Sequence, residues 1–248
     1  MRLSVVIITL NESANIAACL DSVRFADERI VLDNGSTDGT QKIVLSYGAQ
    51  LATSDDWPGF GPQKNRVLSL ATGDWVLSLD ADERVTPELQ LEIEASMRGQ
   101  DRYAYTVPRL SSFCGATIRH SGWYPDRVLR LFPRTSGKFS DDLVHEKVLT
   151  ELPIRQLKAH LLHESFRSFE SVLDKVNRYS TASAAGMLQK GRQGSFSSAI
   201  GHGLWAFIRT YFLRLGFLDG RMGFAVAVSS AEGSYYRYLK LWLIQQVK

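Results

Sequence analysis

Apolar runs and helix-type spacings alternate along the first hundred residues of the chain. Residues 3–9 read LSVVIIT, a continuous β-branched run of the kind that forms a strand covered on both faces. Ile16, Cys19, Leu20 and Val23 then recur at the spacing of one helix face. The same alternation continues at positions 29–32, 43–47, 50–53, 64–71 and 75–79. Strand–helix alternation of this kind predicts an α/β fold built on a mostly parallel sheet.

The pattern changes twice in the remainder of the chain. Thr86-Pro87-Glu88 predicts a helix start, because threonine caps, proline suits the first turn and an acid complements the helix dipole. Residues 103–152 hold strand-like stretches that we expect to complete the sheet and form the second wall of a cleft. The spacing is helical again after residue 167. The chain is therefore divided into a domain at 1–165, with halves at 1–100 and 101–165, and a helical extension at 166–248.

Polar residues follow three of the predicted strands. They are Thr9–Glu12 (TLNE), Asp33–Ser36 (DNGS) and Asp80–Asp82 (DAD). In an open parallel sheet, ligands bind beyond the carboxyl ends of the strands. We therefore expect the three stretches to face one cleft.

Composition narrows the class of protein. The chain has 248 residues, of which 44% are hydrophobic, which is enough for a large core. Its two cysteines, Cys19 and Cys114, lie far apart, which argues against a disulfide framework or zinc cluster and fits a reducing compartment. The N-terminal apolar run is too short for a signal peptide, so we expect it to form the first strand.

Charge is distributed unevenly. Residues 1–150 contain 16 Lys/Arg and 20 Asp/Glu. Residues 151–248 contain 13 Lys/Arg and 6 Asp/Glu, and they are rich in aromatic residues. Arg209, Arg214 and Arg221 interrupt the apolar stretches before they reach the roughly 18 residues of a membrane span. We expect a soluble or peripheral protein. Its C-terminal helices are predicted to lie on an anionic bilayer, to cap the sheet or to form a dimer interface.

Asp80-Ala81-Asp82 brings two carboxylates to the end of an apolar run. Where the chain turns, such carboxylates can reach one Mg²⁺ or Mn²⁺ ion, which takes its other ligands from water and phosphate. An acidic turn before the helix at Thr86 explains the same residues. Arg84 rules out an aspartyl-phosphate phosphatase loop, and the glycine-free LNESAN after the first strand rules out dinucleotide and P-loop motifs. The tripeptide alone leaves the metal site and the acidic turn both open.

Several stretches taken together resemble a known family. SVVIITLNE, IVLDNGSTDGT, QKN and DWVLSLDADE occur between residues 3 and 83 in the order and spacing of the inverting, nucleotide-sugar-dependent glycosyltransferases of family 2. WPGFGPQKN, YPDRVLRLFPR, LVHEKV and LRLGFLDGRMGF extend the likeness to bacterial lipopolysaccharide core glycosyltransferases over nearly the whole chain. The resemblance implies a GT-A fold, with a Rossmann-like, mostly parallel sheet and a helical C-terminal extension.

The resemblance also implies a nucleotide site at the strand ends. The residues expected to contact the nucleotide are Thr9, Asn11, Glu12, Asp33, Asn34, Lys64, Asn65 and Asp80. Asp33 and Asn34 fall where the family usually has paired acids that bind uracil, and the amide oxygen of Asn34 can still accept from an imide N–H. Lys64 would offset the diphosphate charge, and Asp80 would contact the ribose or metal-bound water. Asp82 would coordinate the divalent metal, Mn²⁺ or Mg²⁺.

The second wall of the cleft is expected to supply the base and the acceptor contacts. The resemblance favours Glu146 as the base that deprotonates the acceptor hydroxyl, with Asp142 as the second candidate. The expected acceptor contacts are Trp123, Tyr124, Asp126 and Arg130. Ordinary loop packing accounts equally well for the two aromatic residues. His163 is expected to be a structural residue, with an approach to the metal or diphosphate as the alternative.

These implications predict an inverting transferase that forms a β-glycosidic bond. The expected donor is a UDP-sugar, UDP-glucose first, and the acceptor is a heptose of the lipopolysaccharide inner core. The expected partners are a lipid-linked oligosaccharide and the inner face of the bacterial cytoplasmic membrane, with no nucleic acid. A transferase acting on a polyprenyl phosphate or another glycan is the nearest alternative. A sugar-phosphate nucleotidyltransferase and a non-catalytic lipid-surface binding protein are more distant ones.

Overall fold

The computed structural model describes residues 1–99, 102–141 and 146–246. The chain forms two compact units. The first combines Met1–Arg109 with Asp126–His163, and the second combines Leu110–Pro125 with the chain from Glu164 onward.

The main sheet of the molecule is mixed. The strands are β1 (Leu3–Thr9), β2 (Glu28–Asp33), β3 (Gln50–Thr53), β4 (Trp75–Asp80), β5 (Glu83–Val85), β6 (Ala104–Phe113), β7 (Ala116–Thr117), β8 (Asp126–Pro133), β9 (Lys138–Phe139), β10 (Val148–Leu149), β11 (Ile154–Gln156) and β12 (Leu161–Phe166). The sheet order is β3-β2-β1-β4-β8-β6-β12-β5, and β9 pairs with β10 in a separate ribbon. Strands β1 to β4 run parallel, whereas β8 is antiparallel to β4 and β6. The predicted α/β fold is confirmed.

The helices begin close to the positions that the sequence indicates. They are α1 (Ile16–Ser22), α2 (Thr40–Ser46), α3 (Phe60–Leu70), α4 (Pro87–Met97), α5 (Phe169–Gln189), α6 (Phe196–Ile208) and α7 (Gly220–Gln246). The hydroxyl of Thr86 accepts from the Leu89 amide at 3.2 Å and caps α4 as predicted. Helix α3 begins before the predicted Lys64, because Pro62 lies in its first turn, where a missing N–H is tolerated.

Strand β1 is buried on both faces, as its unbroken apolar run predicted. Leu3, Val5 and Ile7 belong to one apolar core, and Val6 and Ile8 belong to another. The first core also holds buried residues of α1, α2 and α4, and the second holds those of α3. The carboxyl ends of the parallel strands are therefore fixed by packing on both sides of the sheet.

The second unit contains α5, α6, α7 and residues 110–125. Phe113, Ile118, Val172 and Val226 form its apolar core. The sequence assigned residues 110–125 to the acceptor half of the first domain. The structure groups them with the helices, because Phe113 and Ile118 are buried against helical residues. Within the described ranges, none of the helices is long and apolar enough to span a bilayer.

Candidate functional site

The carboxyl ends of β1, β2 and β4 lie side by side. Thr9 at the end of β1 pairs with Asp33 at the end of β2, and Ile8 pairs with Asp80 at the end of β4. Both strand pairs are parallel, so the polar stretches that follow leave the sheet along one edge. The structure thus brings together the residues that the sequence expected at one cleft.

Asp33 holds the turn that follows β2. Its carboxylate accepts hydrogen bonds from the amides of Gly35 and Ser36 at 3.0 and 2.9 Å. It also accepts from the Gln41 side chain at 2.6 Å and from the Ser36 hydroxyl. Three of these bonds reach Oδ1 and one reaches Oδ2, so the fully buried Asp33 fixes the turn. Its contact with uracil stays a prediction.

Asn34, in the same turn, is partly exposed. Its side-chain NH₂ donates to the Asp56 carbonyl at 2.9 Å, and its oxygen accepts from Gln63 at 2.6 Å. An amide oxygen has two acceptor positions, so one remains for an incoming donor such as an imide N–H. Gln63 is fully buried and fixes the orientation of the Asn34 amide.

The turn after β1 is tied to the turn after β2. The amide of Asn11 donates to the Ser36 hydroxyl at 2.7 Å, and its side-chain oxygen accepts from the Thr37 amide at 2.9 Å. The Glu12 carboxylate accepts from Asn15 at 2.8 Å. The Thr9 hydroxyl is buried and has no hydrogen-bond partner among the described residues. The two turns therefore form one hydrogen-bonded rim at the sheet edge.

Two acids beyond β4 are paired with cations of the protein itself. The Asp80 carboxylate lies 2.8 Å from the Lys64 ammonium and 2.5 Å from the Arg130 guanidinium. Glu83, which is fully buried, lies 2.6 Å from Arg130 and 3.4 Å from Arg109, and it accepts from the Asp80 amide. Lys64, Arg130 and Arg109 therefore offset the negative charge of Asp80 and Glu83 at the strand end.

Opposite charges hold this cluster in its ionised form. Burial raises the pKa of Asp80, but the charges of Arg130 and Lys64 outweigh it and keep the pKa well below its usual range. Burial lowers the pKa of Arg130, but Asp80 and Glu83 raise it above its ordinary value. The sequence assigned Arg130 to the acceptor. Its guanidinium is buried and engaged by two carboxylates, which supports the strand end, and its contact with the acceptor stays a prediction.

Asp82 is oriented differently from its neighbours. Its carboxylate lies 3.3 Å from Nε2 of His163, and its side chain is 26% exposed. A carboxylate and an imidazole suit Mn²⁺, and two protein ligands leave positions for water and phosphate oxygens. No group of three or more His, Cys, Asp and Glu side chains within the described ranges is arranged to hold a metal. Asp82 and His163 therefore fit a cation that takes most of its ligands from substrate.

Lys64 connects the strand end to the segment after β9. Its ammonium lies 2.8 Å from Asp80 and 2.7 Å from the carboxylate of Glu146, and the lysine side chain is almost fully buried. The predicted base therefore lies beside the acidic cluster, oriented by an ion pair. Asp142, the second candidate, falls outside the described residues.

Asn65 has a structural contact that the sequence did not indicate. Its side chain donates to the Phe139 carbonyl at 2.9 Å and accepts from the Phe139 amide at 2.8 Å. Both ends of the amide are therefore engaged by β9. Asn65 therefore anchors α3 to β9, and its contact with the nucleotide stays a prediction.

The four residues expected at the acceptor are divided between the two units. Trp123 packs against Phe113 and Phe166 in the core of the second unit, with ring centroids 5.9 and 6.1 Å apart. Tyr124 is partly buried in the same unit. Asp126, in the first unit, pairs with Arg109 at 2.6 Å. The packing of Trp123 matches the alternative of ordinary loop packing.

Glu83, Arg109 and Gln63 are site residues that the sequence reasoning did not assign. Arg109 and Arg130 each interrupt an otherwise apolar strand pattern, in TVPRL and RVLRLF. A charged side chain in a buried strand requires a counterion. An arginine within an apolar strand pattern therefore predicts an acidic partner, but it does not predict which acid that is.

Comparison with known proteins identifies the family of the chain. The family model "Glycosyl transferase family 2" matches residues 4–148. An uncharacterized glycosyltransferase of Rickettsia prowazekii is 33% identical over 253 residues, which cover 97% of this chain and 86% of that protein. The chain belongs to glycosyltransferase family 2. The predicted family and its GT-A fold are confirmed, and the protein is a glycosyltransferase.

Two further relatives have more specific descriptions. The lipopolysaccharide core biosynthesis glycosyltransferase LpsC of Rhizobium meliloti is 29% identical over 255 residues, which cover 99% of this family 2 chain and 93% of LpsC. A crystal structure of glucosyl-3-phosphoglycerate synthase from Mycobacterium tuberculosis, in complex with Mn²⁺, UDP and glucosyl-3-phosphoglycerate, is 28% identical. It covers 45% of this chain and 44% of that one, with a TM-score of 0.37.

Proposed function

We propose that this family 2 enzyme transfers glucose from UDP-glucose to a heptose of the lipopolysaccharide inner core and inverts the anomeric centre to form a β-glycoside. The observation that carries the proposal is one group of side chains at the end of β4. Asp82 lies beside His163 there, and Lys64 joins Asp80 to Glu146. The group combines ligands for a cation with a carboxylate that can accept a proton.

Asp82 and His163 are the residues that would hold a divalent cation, Mn²⁺ or Mg²⁺. When bound, such an ion stabilises the negative charge that develops on a diphosphate leaving group. Arg130 and Arg109 keep Glu83 paired, and Asp80 is held by Lys64 and Arg130. Asp82 can therefore meet a ligand without a cluster of unpaired acids around it.

Glu146 is the proposed base. The acceptor hydroxyl attacks the anomeric carbon, the bond from that carbon to the diphosphate oxygen breaks, and the hydroxyl proton passes to the Glu146 carboxylate. UDP then leaves with the electron pair of the broken bond. Lys64 holds the Glu146 carboxylate at 2.7 Å, which limits the orientations that this side chain can adopt.

Different observations support the proposed donor and the proposed acceptor. The second acceptor position of the Asn34 oxygen supplies a contact that suits a uridine. The lipopolysaccharide core acceptor is supported by the similarity to LpsC over nearly the whole chain. An acceptor of this kind is lipid-linked, so we place the enzyme at the inner face of the bacterial cytoplasmic membrane.

Donor screening tests the nucleotide and the metal together. We expect UDP-glucose to bind and to be hydrolysed slowly when Mn²⁺ is present, and expect GDP-sugars to do neither. Calorimetry measures the binding of the donor, and detection of released UDP measures its hydrolysis. Tight binding of a GDP-sugar in the presence of a chelator would contradict both the uridine and the metal assignments.

Three substitutions separate the roles of the site residues. We expect Asp82→Asn and His163→Ala to abolish stimulation by Mn²⁺, because the cation loses a ligand.

Glu146→Gln should lower kcat by roughly 100- to 10,000-fold while the Kd for UDP-glucose is unchanged, as for loss of a general base. Glu151→Gln, which changes an exposed acid in the first unit, is the matched control and should retain activity. An active Glu146→Gln enzyme would refute the base assignment.

A further inference from the structure

Between residues 204 and 224 of the second unit, small side chains are buried and large apolar side chains are exposed, which is the reverse of the usual arrangement. The buried positions of this stretch are occupied by small residues, namely Ala206, Thr210, Gly216 and Gly223. Nine large apolar residues of the stretch are exposed to between 42% and 63%, whereas Phe207, Tyr211 and Met222 are partly buried. The nine exposed residues are Leu204, Trp205, Ile208, Phe212, Leu213, Leu215, Phe217, Leu218 and Phe224. We call these nine side chains, with the basic residues among them, the 204–224 surface.

Close packing requires the small residues. A Cβ at Gly223 would lie 1.8 Å from the Gly216 carbonyl oxygen, and a Cβ at Gly203 would lie 3.1 Å from the Tyr235 side chain. The backbones therefore approach too closely to admit a side chain between them. The large residues of the same stretch consequently lie at the surface. The rings of Phe212, Phe217 and Phe224 contact Phe207 or Tyr211, and they still remain 45% to 53% exposed.

The charge of the 204–224 surface is positive. Arg209, Arg214 and Arg221 are all exposed. Asp219 is the one acid in the stretch, and its side chain is only 5% exposed. Its carboxylate is bonded to the Arg119 amide and to the amide and ring of His120. The arginines therefore have no exposed acidic neighbour within the stretch.

We propose that the 204–224 surface binds an anionic phospholipid bilayer by lying in its interface. Exposed apolar area on this scale is rare on a soluble protein, and a mixture of Trp, Phe and Leu with arginine is typical of segments that lie in the headgroup region. Arginine stems can lie along the acyl chains while their guanidinium groups reach lipid phosphates. A second copy of the chain fits less well, because a two-fold contact of this surface would oppose arginines to arginines.

This inference deepens the proposed function, because it names the surface that meets the membrane carrying the acceptor. Vesicle binding and donor turnover are separate measurements on the same protein. If the protein binds vesicles but does not turn over a UDP-sugar, the proposed function is wrong and the assignment of the bilayer-binding surface is still supported. If the donor is used and vesicles are not bound, the inference fails alone.

Sedimentation of the full chain with vesicles tests the proposal. We expect binding to vesicles of phosphatidylcholine with phosphatidylglycerol, and much weaker binding to phosphatidylcholine alone. The triple variant Trp205→Ser, Phe212→Ser, Leu218→Ser should weaken binding by roughly tenfold or more for each side chain. The double variant Arg209→Gln, Arg221→Gln should weaken it by about fivefold for each arginine.

A matched variant controls for the general effect of removing exposed apolar side chains. Leu45→Ser, Leu70→Ser and Leu91→Ser change residues of the first unit that are 45% to 67% exposed, and together they should leave vesicle binding unchanged. Wild-type binding retained by the Trp205, Phe212 and Leu218 variant would overturn the proposal. A dimer in solution that this variant converts to a monomer, with no vesicle binding by the wild type, would identify a second copy as the occupant and overturn it too.

Discussion

Individual residues at the end of β4 differ in function although they are adjacent in the sequence. Glu83 is fully buried between two arginines, Asp80 is held by a lysine and an arginine, and Asp82 lies partly exposed beside a histidine. Removing a charge from water is costly unless an opposite charge replaces the lost hydration. The paired acids therefore have a structural contribution that Asp82 does not share.

Arg130→Met should destabilise the protein by about 3–5 kcal/mol, because it leaves the buried Glu83 with Arg109 alone, at 3.4 Å, and removes a partner of Asp80. The free energy of unfolding in urea measures the effect. Arg127→Met, on the same strand and exposed, is the control and should change it by about 1 kcal/mol or less, because it removes one hydrogen bond, to the Leu157 carbonyl. Equal stability of the two variants would contradict a structural role for the ion-pair cluster.

At the scale of elements, the contact between α3 and β9 determines where the proposed base lies. Asn65 of α3 forms two hydrogen bonds with Phe139 of β9, and Ser140 bonds to Lys147, next to Glu146. Gly61 of the same helix leaves room for this segment, because a Cβ there would lie 1.8 Å from the Ser140 carbonyl oxygen. Helix α3 thus holds both the lysine that pairs with Glu146 and the strand that precedes it.

Asn65→Ala should lower the free energy of unfolding by about 1–3 kcal/mol, because the Phe139 backbone groups lose their partner. We expect kcat to fall while the Kd for UDP is unchanged, since β9 is loosened and the nucleotide loses no contact. Calorimetry and turnover on one preparation distinguish the two effects. Ser69→Ala, on an exposed position of the same helix, is the control. A loss confined to UDP affinity would restore the nucleotide role of Asn65.

At the scale of the whole molecule, depressed carboxyl pKa values make stability depend on pH. Burial raises the pKa of Glu28, but hydrogen bonds from Ser4 and Thr72 outweigh it and lower the pKa. The pKa of Asp80 is also well below its usual range, and hydrogen bonds from Arg66 and Ser54 lower that of Asp56 to about 2. Below the unfolded pKa of about 4, the unfolded chain therefore binds protons that the folded chain does not.

Stability should therefore be nearly constant between about pH 5 and about pH 7 and should fall as the pH drops toward about 2, because each depressed carboxyl group favours the folded state only while it stays ionised. Urea unfolding across this range measures the slope. Glu28→Gln should reduce the slope, since it removes one of the titrating groups. A free energy of unfolding that is independent of pH in this window would refute the expectation.

Local sequence patterns predicted the elements better than the contacts of the site. The run of Leu3–Thr9 and the cap at Thr86 gave the correct strand and helix start, because burial on two faces and capping are local requirements. The ligand contacts of Asp33, Asn65 and Arg130 stay predictions, and the structure adds partners within the protein that the sequence did not indicate. Their partners are up to 74 positions away along the chain, and spacing within one motif gives no information about such distances.

The sequence by itself determined the family, the order of strands and helices, and the polar character of each strand end, because these follow from periodicity, capping and motif order. Only the tertiary structure decided which acids are paired, which residue lies beside Asp82, and which side of the C-terminal helices keeps its large side chains exposed. Those outcomes depend on distances between residues remote in sequence. Packing sets these distances after the elements have formed, and a close backbone contact such as that of Gly216 with Gly223 has no signature in hydrophobic spacing.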